Sequence, residues 1–188
     1  MLDLLQTIDE SIIISINGWN SPFWDKVMWW ISGKYSWWPL YLFLVSFIFW
    51  KKKWKQGGII FLLAILLITA SDQSSVHLFK ELIQRPRPSH NPEIKELLHF
   101  VNNYRGGAFG FISSHASNTF GVAVFLSFIF KKKWFTFLLI FWASIVSYSR
   151  IYLGVHYLSD ILAGAVWGIL LGFIFYRLHL SIQQYLKN

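Results

Sequence analysis

The sequence predicts an all-α integral membrane bundle with five transmembrane helices, and three observations carry that prediction. Hydrophobic residues make up 55% of the 188, more than an ordinary soluble domain holds. Aromatic residues are abundant, with 11 Trp and 18 Phe. The apolar residues also fall into five runs, at 35–50, 57–70, 108–130, 134–148 and 157–176. Some are shorter than the ~20 residues a spanning helix requires, but Trp and Tyr at their ends sit in the headgroup layer and complete the crossing.

Taken in order, residues 1–34 come first and mix acidic and polar side chains with apolar ones, in "LDLLQTIDESIIISINGWN" and "SPFWDKVMWWISGK". This pattern predicts two helices lying in the membrane interface, the second starting at Ser21-Pro22; a sixth, short span is the competing reading. Residues 35–188 then form the membrane-embedded part. No repeat or low-complexity linker divides the chain, so it is read as one domain. The first residues show no basic region, clean apolar core or small-residue cleavage site, which argues against a removable signal peptide.

Lys51, Lys52, Lys53 and Lys55 separate the first two runs, Lys131, Lys132 and Lys133 separate the third and fourth, and Arg177 and Lys187 follow the fifth. A five-span topology puts them all on one side, and the positive-inside rule makes that side cytoplasmic. The net charge of +8 is then an anchor at lipid headgroups rather than a nucleic-acid surface. Residues 71–107 and the turn near residue 150 fall on the outer side.

The longest polar region, 84–107, contains Pro86, Pro88 and Pro92, which exclude one continuous helix, while "EIKELLHFV" predicts a short amphipathic helix within it. A loop of this length in a compact bundle is more often functional than idle. In the last span, Gly164, Gly168 and Gly172 recur every four residues and let that helix lie close to a neighbour.

Three outer segments carry the chemistry. In "SRIYLGVHYLSD", residues 149–160, Arg150 closes the fourth span, Gly154 permits the turn, and the i, i+4 spacing puts His156 and Asp160 on one helix face. A carboxylate holding one ring nitrogen fixes the tautomer and leaves the other nitrogen's lone pair for attack or proton transfer. A structural ion pair closing a helix end would look the same. In "GFISSHASNTF", Ser113 and Ser114 are N-cap residues of the third span, whose outward backbone N–H groups suit an anion, and His115 stands in the first turn. In "KELIQRPRP", Lys80 and Arg87 are two helical turns apart, and both can face one pocket; guanidinium and ammonium groups recognise phosphate oxygens. Three cations with backbone donors form a phosphate cradle, and two histidines can divide the roles of nucleophile and acid.

The pattern Lys80, six residues, Arg87-Pro88, then Ser113-Ser114-His115, then Ser149-Arg150, five residues, His156, three residues, Asp160 resembles the type 2 phosphatidic-acid phosphatase family of integral membrane lipid phosphatases. That family's motifs read K-x6-R-P, P-S-G-H and S-R-x5-H-x3-D, and the resemblance runs from about residue 35 to residue 176. It implies that His156 is the nucleophile and forms a phosphohistidine, that Asp160 orients it, and that His115 protonates the leaving oxygen. It implies that Lys80, Arg87, Ser113 and Arg150 bind the phosphate with the Ser114 amide, and that no metal or other cofactor takes part. Two departures stand out. The middle motif lacks the family's Pro and Gly, and the first of six usual spans is replaced by the interfacial helices.

Other polar residues complete the expectations. Asp72 is expected to pair with a nearby cation, and Arg85, His90 and Arg105 are candidate headgroup contacts. Undecaprenyl diphosphate is the favoured substrate, on the ground that Arg85 or Arg105 could meet a second phosphate. Lipid A phosphate, phosphatidylglycerol phosphate and phosphatidic acid are the alternatives. Transfer of the phosphoryl group between lipids is a second enzymatic reading, and a lipid-binding or transport component is the non-enzymatic one. The expected location is a bacterial-type inner membrane with the site facing outward; the expected partners are lipids, with no nucleic acid.

Overall fold

Ser21 and Pro22 start a helix as their chemistry requires: the Ser21 hydroxyl accepts from the Trp24 N–H at 3.3 Å, and Pro22 fills the first helical position. Six further helices complete the protein, whose computed structural model describes residues 2–187; among these there is no β-strand. In chain order they are α1 (Leu2–Gly18), α2 (Pro22–Ser32), α3 (Trp38–Lys51), α4 (Trp54–Ile83), α5 (Ser114–Phe130), α6 (Lys133–Tyr152) and α7 (Leu158–Tyr185). Helices α4, α6 and α7 are long and apolar enough to cross a membrane, while α3 and α5 are apolar but shorter, with 14 and 17 residues. The molecule is therefore an all-helical membrane bundle in which each of the five apolar runs forms a helix.

Helix α4 goes further than its apolar run. It continues beyond Ala70 through a π-helical stretch, Ser75–Lys80, and ends where Gln84 adopts a left-handed conformation at φ 52°. The added turns carry Asp72 and Lys80 up to the loop.

The amphipathic helix expected at residues 93–101 does not form. Only Lys95–Leu97 makes a single 3-10 turn, after which Leu98 is extended. The reason lies in α1, because the Asn17 carboxamide donates to the His99 carbonyl at 2.9 Å and accepts from the His99 N–H at 2.7 Å. With those backbone groups engaged by a side chain 82 residues away, they are withdrawn from a helical ladder. Ile94, Leu98 and Val101 are buried even so.

Both N-terminal helices meet the same end of the bundle. Asp9 binds Ser159 and Arg85, Asn17 also binds the Tyr152 carbonyl, Asp25 accepts from Tyr152 and pairs with His99, and Ser32 accepts from Arg150. At the other end, Lys52 lies over the Phe130 ring and Lys51 over Trp50, beside exposed Trp54 and Trp134. Lysines among exposed tryptophans are the side-chain mixture of a membrane interface.

The α5–α7 contact fixes the remaining geometry. A Cβ added at Gly164 would lie 2.6 Å from the Ser113 carbonyl oxygen, and one at Gly172 would lie 2.6 Å from that of Gly121. The glycine row of α7 therefore rests directly on the α5 backbone, as small residues permit in lipid, and seats the start of α5 beside the start of α7.

Candidate active site

A cavity of about 680 Å³ opens between α3, α4, α5 and α6. At its loop end it is lined by Lys80, Arg87, Ser114, His115, Arg150 and His156, and its deeper wall is apolar, with Ile65, Ile68 and Val122 among the lining residues. Six residues expected to carry chemistry or bind phosphate are thus brought to one place.

His156 sits in the turn between α6 and α7, two residues before α7 begins, where Gly154 takes φ 71°. Its Nε2 is 3.0 Å from Arg87 Nη1 and its Nδ1 is 3.3 Å from Asp160 Oδ2. A guanidinium has no acceptor, so the Nε2 facing Arg87 must carry the lone pair and the ring hydrogen sits on Nδ1, toward Asp160. Burial, then the charges of Arg87, Arg150 and Lys80, hold the imidazole well below the usual histidine range. His156 is therefore neutral near pH 7 with its lone pair toward the cavity.

Asp160 is fully buried and its carboxylate is saturated. Oδ2 also accepts from the Tyr157 N–H at 3.0 Å, and Oδ1 accepts from Arg85 Nη1 at 2.9 Å. Arg87 is held by the Phe109 and Val155 carbonyls, each at 3.1 Å. Burial and the neighbouring Arg150 push its guanidinium down to about 10, so it stays charged at neutral pH. Lys80 Nζ donates to the Ser114 hydroxyl at 2.6 Å. Arg150 donates to Ser32 and, at 3.2 Å, to the Tyr104 hydroxyl; its Nε has no partner. His115, in the first turn of α5, lies within electrostatic reach of Arg150, His156, Arg87 and Lys80.

Several expectations need correction. Ser113 does not line the cavity: its hydroxyl caps α5, accepting from the Ala116 N–H at 3.4 Å, and its N–H donates to the Asp160 carbonyl at 3.0 Å. Its neighbour Ser114, one helical step round, presents the hydroxyl instead. Arg85 does not reach toward a headgroup, because it is locked between Asp9 at 2.8 Å and Asp160 at 2.9 Å. Arg105 lies over the Phe100 ring and donates to the Ser89 carbonyl, and exposed His90 bonds Ser89; none of the three lines the cavity. Asp72 lines the cavity but makes no ion pair. The sequence reading missed Asp9, Ser32 and Tyr104. None of the three had a signal of its own; Asp9 is one of three acidic residues, with Asp3 and Glu10, in a helix of mixed composition.

A helical membrane bundle with a cationic cradle and a neutral histidine backed by a carboxylate defines a membrane phosphatase. The chain belongs to the PAP2 superfamily, which it matches over residues 57–183, and is accordingly a membrane lipid phosphatase, a hydrolase of phosphate esters. It is 40% identical over 94% of its length to the lipid A 4'-phosphatase of Bacteroides thetaiotaomicron, covering 79% of that protein. It is 34% identical over 97% of its length to the lipid A 4'-phosphatase of Porphyromonas gingivalis, covering 78% of that protein. The crystal structure of the PAP2-type phosphatidylglycerolphosphate phosphatase of Bacillus subtilis matches with a TM-score of 0.71 at 29% identity, covering 95% of this chain and 88% of that one.

Proposed function

We propose that this lipid phosphatase removes a phosphate monoester from a lipid A-type glycolipid through a phosphohistidine on His156. The observation that carries the substrate is the similarity along nearly the whole chain to two proteins named lipid A 4'-phosphatase. Lys80, Arg87 and Arg150 converge at the loop end, and exposed Lys34 is a further cation on the cavity wall. The ground for undecaprenyl diphosphate was Arg85 or Arg105, and both point elsewhere. Phosphatidylglycerol phosphate remains the second reading, supported by the structural match at 29% identity.

In this mechanism the substrate phosphate takes Arg87 from the Nε2 lone pair, which then attacks phosphorus. The bond from phosphorus to the lipid oxygen breaks, and His115 supplies the proton to that oxygen. Asp160 stabilises the Nδ1–H as positive charge develops on the ring. Water next attacks the phosphohistidine, His115 accepts its proton, and inorganic phosphate leaves. The deeper apolar wall accommodates lipid chains entering sideways from the bilayer. We place the site at the outer face of an inner membrane, on the lysine distribution, with five spans and with α1 and α2 in the outer interface.

The test is phosphate release by the purified protein in detergent with chelator present, across lipid A, phosphatidylglycerol phosphate, phosphatidic acid and undecaprenyl diphosphate. Fastest release from lipid A, abolished in His156→Ala, is expected. Faster release from another lipid overturns the substrate, and full activity in the variant overturns the nucleophile.

A further inference from the structure

Among the polar side chains of the cavity wall that the phosphate chemistry leaves unused are Asp72 on α4 and Asn118 on α5. Asn118 Oδ1 is buried without a hydrogen-bond partner. Asp72 is half-buried and makes no hydrogen bond or ion pair, its interaction with Lys80 acting only through space. Their surroundings are apolar, with Ile68, Val76 and Val122 lining the same cavity. An ionisable side chain and an amide on the apolar wall of a membrane-embedded cavity mark a place where a bundle meets a polar group.

Their register follows from the serines beside them. Ser71 Oγ is 2.5 Å from Ser117 Oγ, and Ser75 Oγ is 3.0 Å from the same atom, so these residues form the seam between α4 and α5. The end of α4 and the start of α5 both meet the outer loop, so the two helices are antiparallel. On facing antiparallel helices the next residue turns to the same side of the seam. Asp72 and Asn118 therefore flank Ser71 and Ser117 on the cavity side, at nearly one depth. Asn118 lies three residues after His115, which at ~1.5 Å per residue puts the pair about one turn below it.

That depth identifies what they would meet. If His115 protonates the leaving oxygen, the carbon skeleton bearing that oxygen lies directly beneath, against Asp72 and Asn118. The Asp72 carboxylate accepts hydrogen bonds as it stands, and the Asn118 amide does so once a turn of its side chain brings Oδ1, now closed off, into the cavity. We propose that Asp72 and Asn118 form a leaving-group subsite that recognises hydroxyl or amide N–H donors of a sugar, and so selects a phosphorylated amino-sugar lipid over lipids whose phosphate sits on a plain glyceryl or prenyl chain. The subsite rests on the glycolipid phosphatase reading above and explains how such a preference arises. A site built to hydrogen-bond a donor discriminates strongly against an analogue without it, because its own buried groups are then left unpaired.

The experiment compares kcat/KM for lipid A and for phosphatidic acid, using the full chain in detergent as wild type, Asp72→Asn, Asn118→Leu and the double variant. The expected result is a fall of about 10- to 100-fold on lipid A in the double variant, with phosphatidic acid changed by less than about 3-fold. Phosphatidic acid turnover reports that each variant is folded, and the milder Asp72→Asn gives a second reading if the double variant is not. A wild-type preference for lipid A that survives in the variants, or an equal loss on both lipids, overturns the subsite and leaves the substrate assignment standing. A wild type without that preference overturns both.

Discussion

Arg85 Nη1 lies 2.9 Å from Asp160 Oδ1, on the side of the carboxylate away from His156, and Arg85 Nη2 lies 2.8 Å from Asp9 Oδ2. A chain of contacts thus runs from α1 through the loop to His156. Arg85 is three-quarters buried and Asp160 wholly so, a setting in which charge-assisted hydrogen bonds fix orientation. Arg85 does not line the cavity, so it meets the site only through Asp160. Replacing it with Leu is expected to lower kcat by about 10- to 100-fold with KM nearly unchanged, and Arg85→Lys should recover part of the loss. Asp9→Asn should act in the same direction, and the double variant Arg85→Leu/Asp9→Asn should be less than additive. Steady-state kinetics on any accepted lipid decides it; a rise in KM alone would place Arg85 on the substrate.

Gly110 faces the same carboxylate. A Cβ there would sit 2.9 Å from Asp160 Oδ2 and 3.3 Å from Arg87 Cγ. Neither neighbour is free to retreat, since each is held by hydrogen bonds on other sides. Gly110→Ala is expected to cut activity by at least ~10-fold while the helical circular dichroism is retained. Wild-type turnover in this variant would mean the carboxylate is not held as tightly as its contacts indicate.

These contacts mark the boundary of what the sequence could reveal. The His156–Asp160 pair was legible because four residues is a property of the helix itself. Lys80 and Arg87 were legible because prolines visibly end the helix between them. Ser32 meets Arg150 across 118 residues, Arg85 meets Asp9 across 76, and Tyr104 meets Arg150 across 46. Periodicity carries no information about such pairs. The same limit misdirected the reading of Arg85, which looked like a surface cation until α1 supplied its second carboxylate, and of the helix at 93–101, which Asn17 undoes. Between Ser113 and Ser114, the choice of which hydroxyl faces the cavity depends on the rotation of α5, and that is set by the glycines of α7.

Those glycines give a stability test. A methyl at Gly164 would fall 2.6 Å from the Ser113 carbonyl oxygen and 3.2 Å from Ala116 Cβ. The first obstacle is backbone, so the helices must part. Gly164→Ala is expected to destabilise the protein by ~1–3 kcal/mol and to displace the Ser113–His115 corner with it. Thermal unfolding in detergent should show a lowered midpoint, and activity should fall already at temperatures where the variant is still folded. An unchanged midpoint would contradict the close α5–α7 contact.

Protonation of His156 links the site to stability. Its folded-state value is depressed below the ordinary value of 6.5, by burial first and then by Arg87, Arg150 and Lys80. Above the ordinary value both folded and unfolded forms are neutral, and the residue makes no pH-dependent contribution. As pH falls below it, the unfolded chain takes up a proton that the folded protein refuses, so stability declines until the depressed value is passed. The unfolding midpoint should therefore drop between about pH 7 and about pH 5, and drop less in His156→Gln, which has no proton to bind. If His156 is the nucleophile proposed above, it stays neutral through the same range, so that an acid limb assigned to it in the free enzyme begins below the ordinary histidine value. A limb centred at or above that value, still present in a His115→Asn background with residual turnover, would mean that the imidazole is not shielded by its three cationic neighbours.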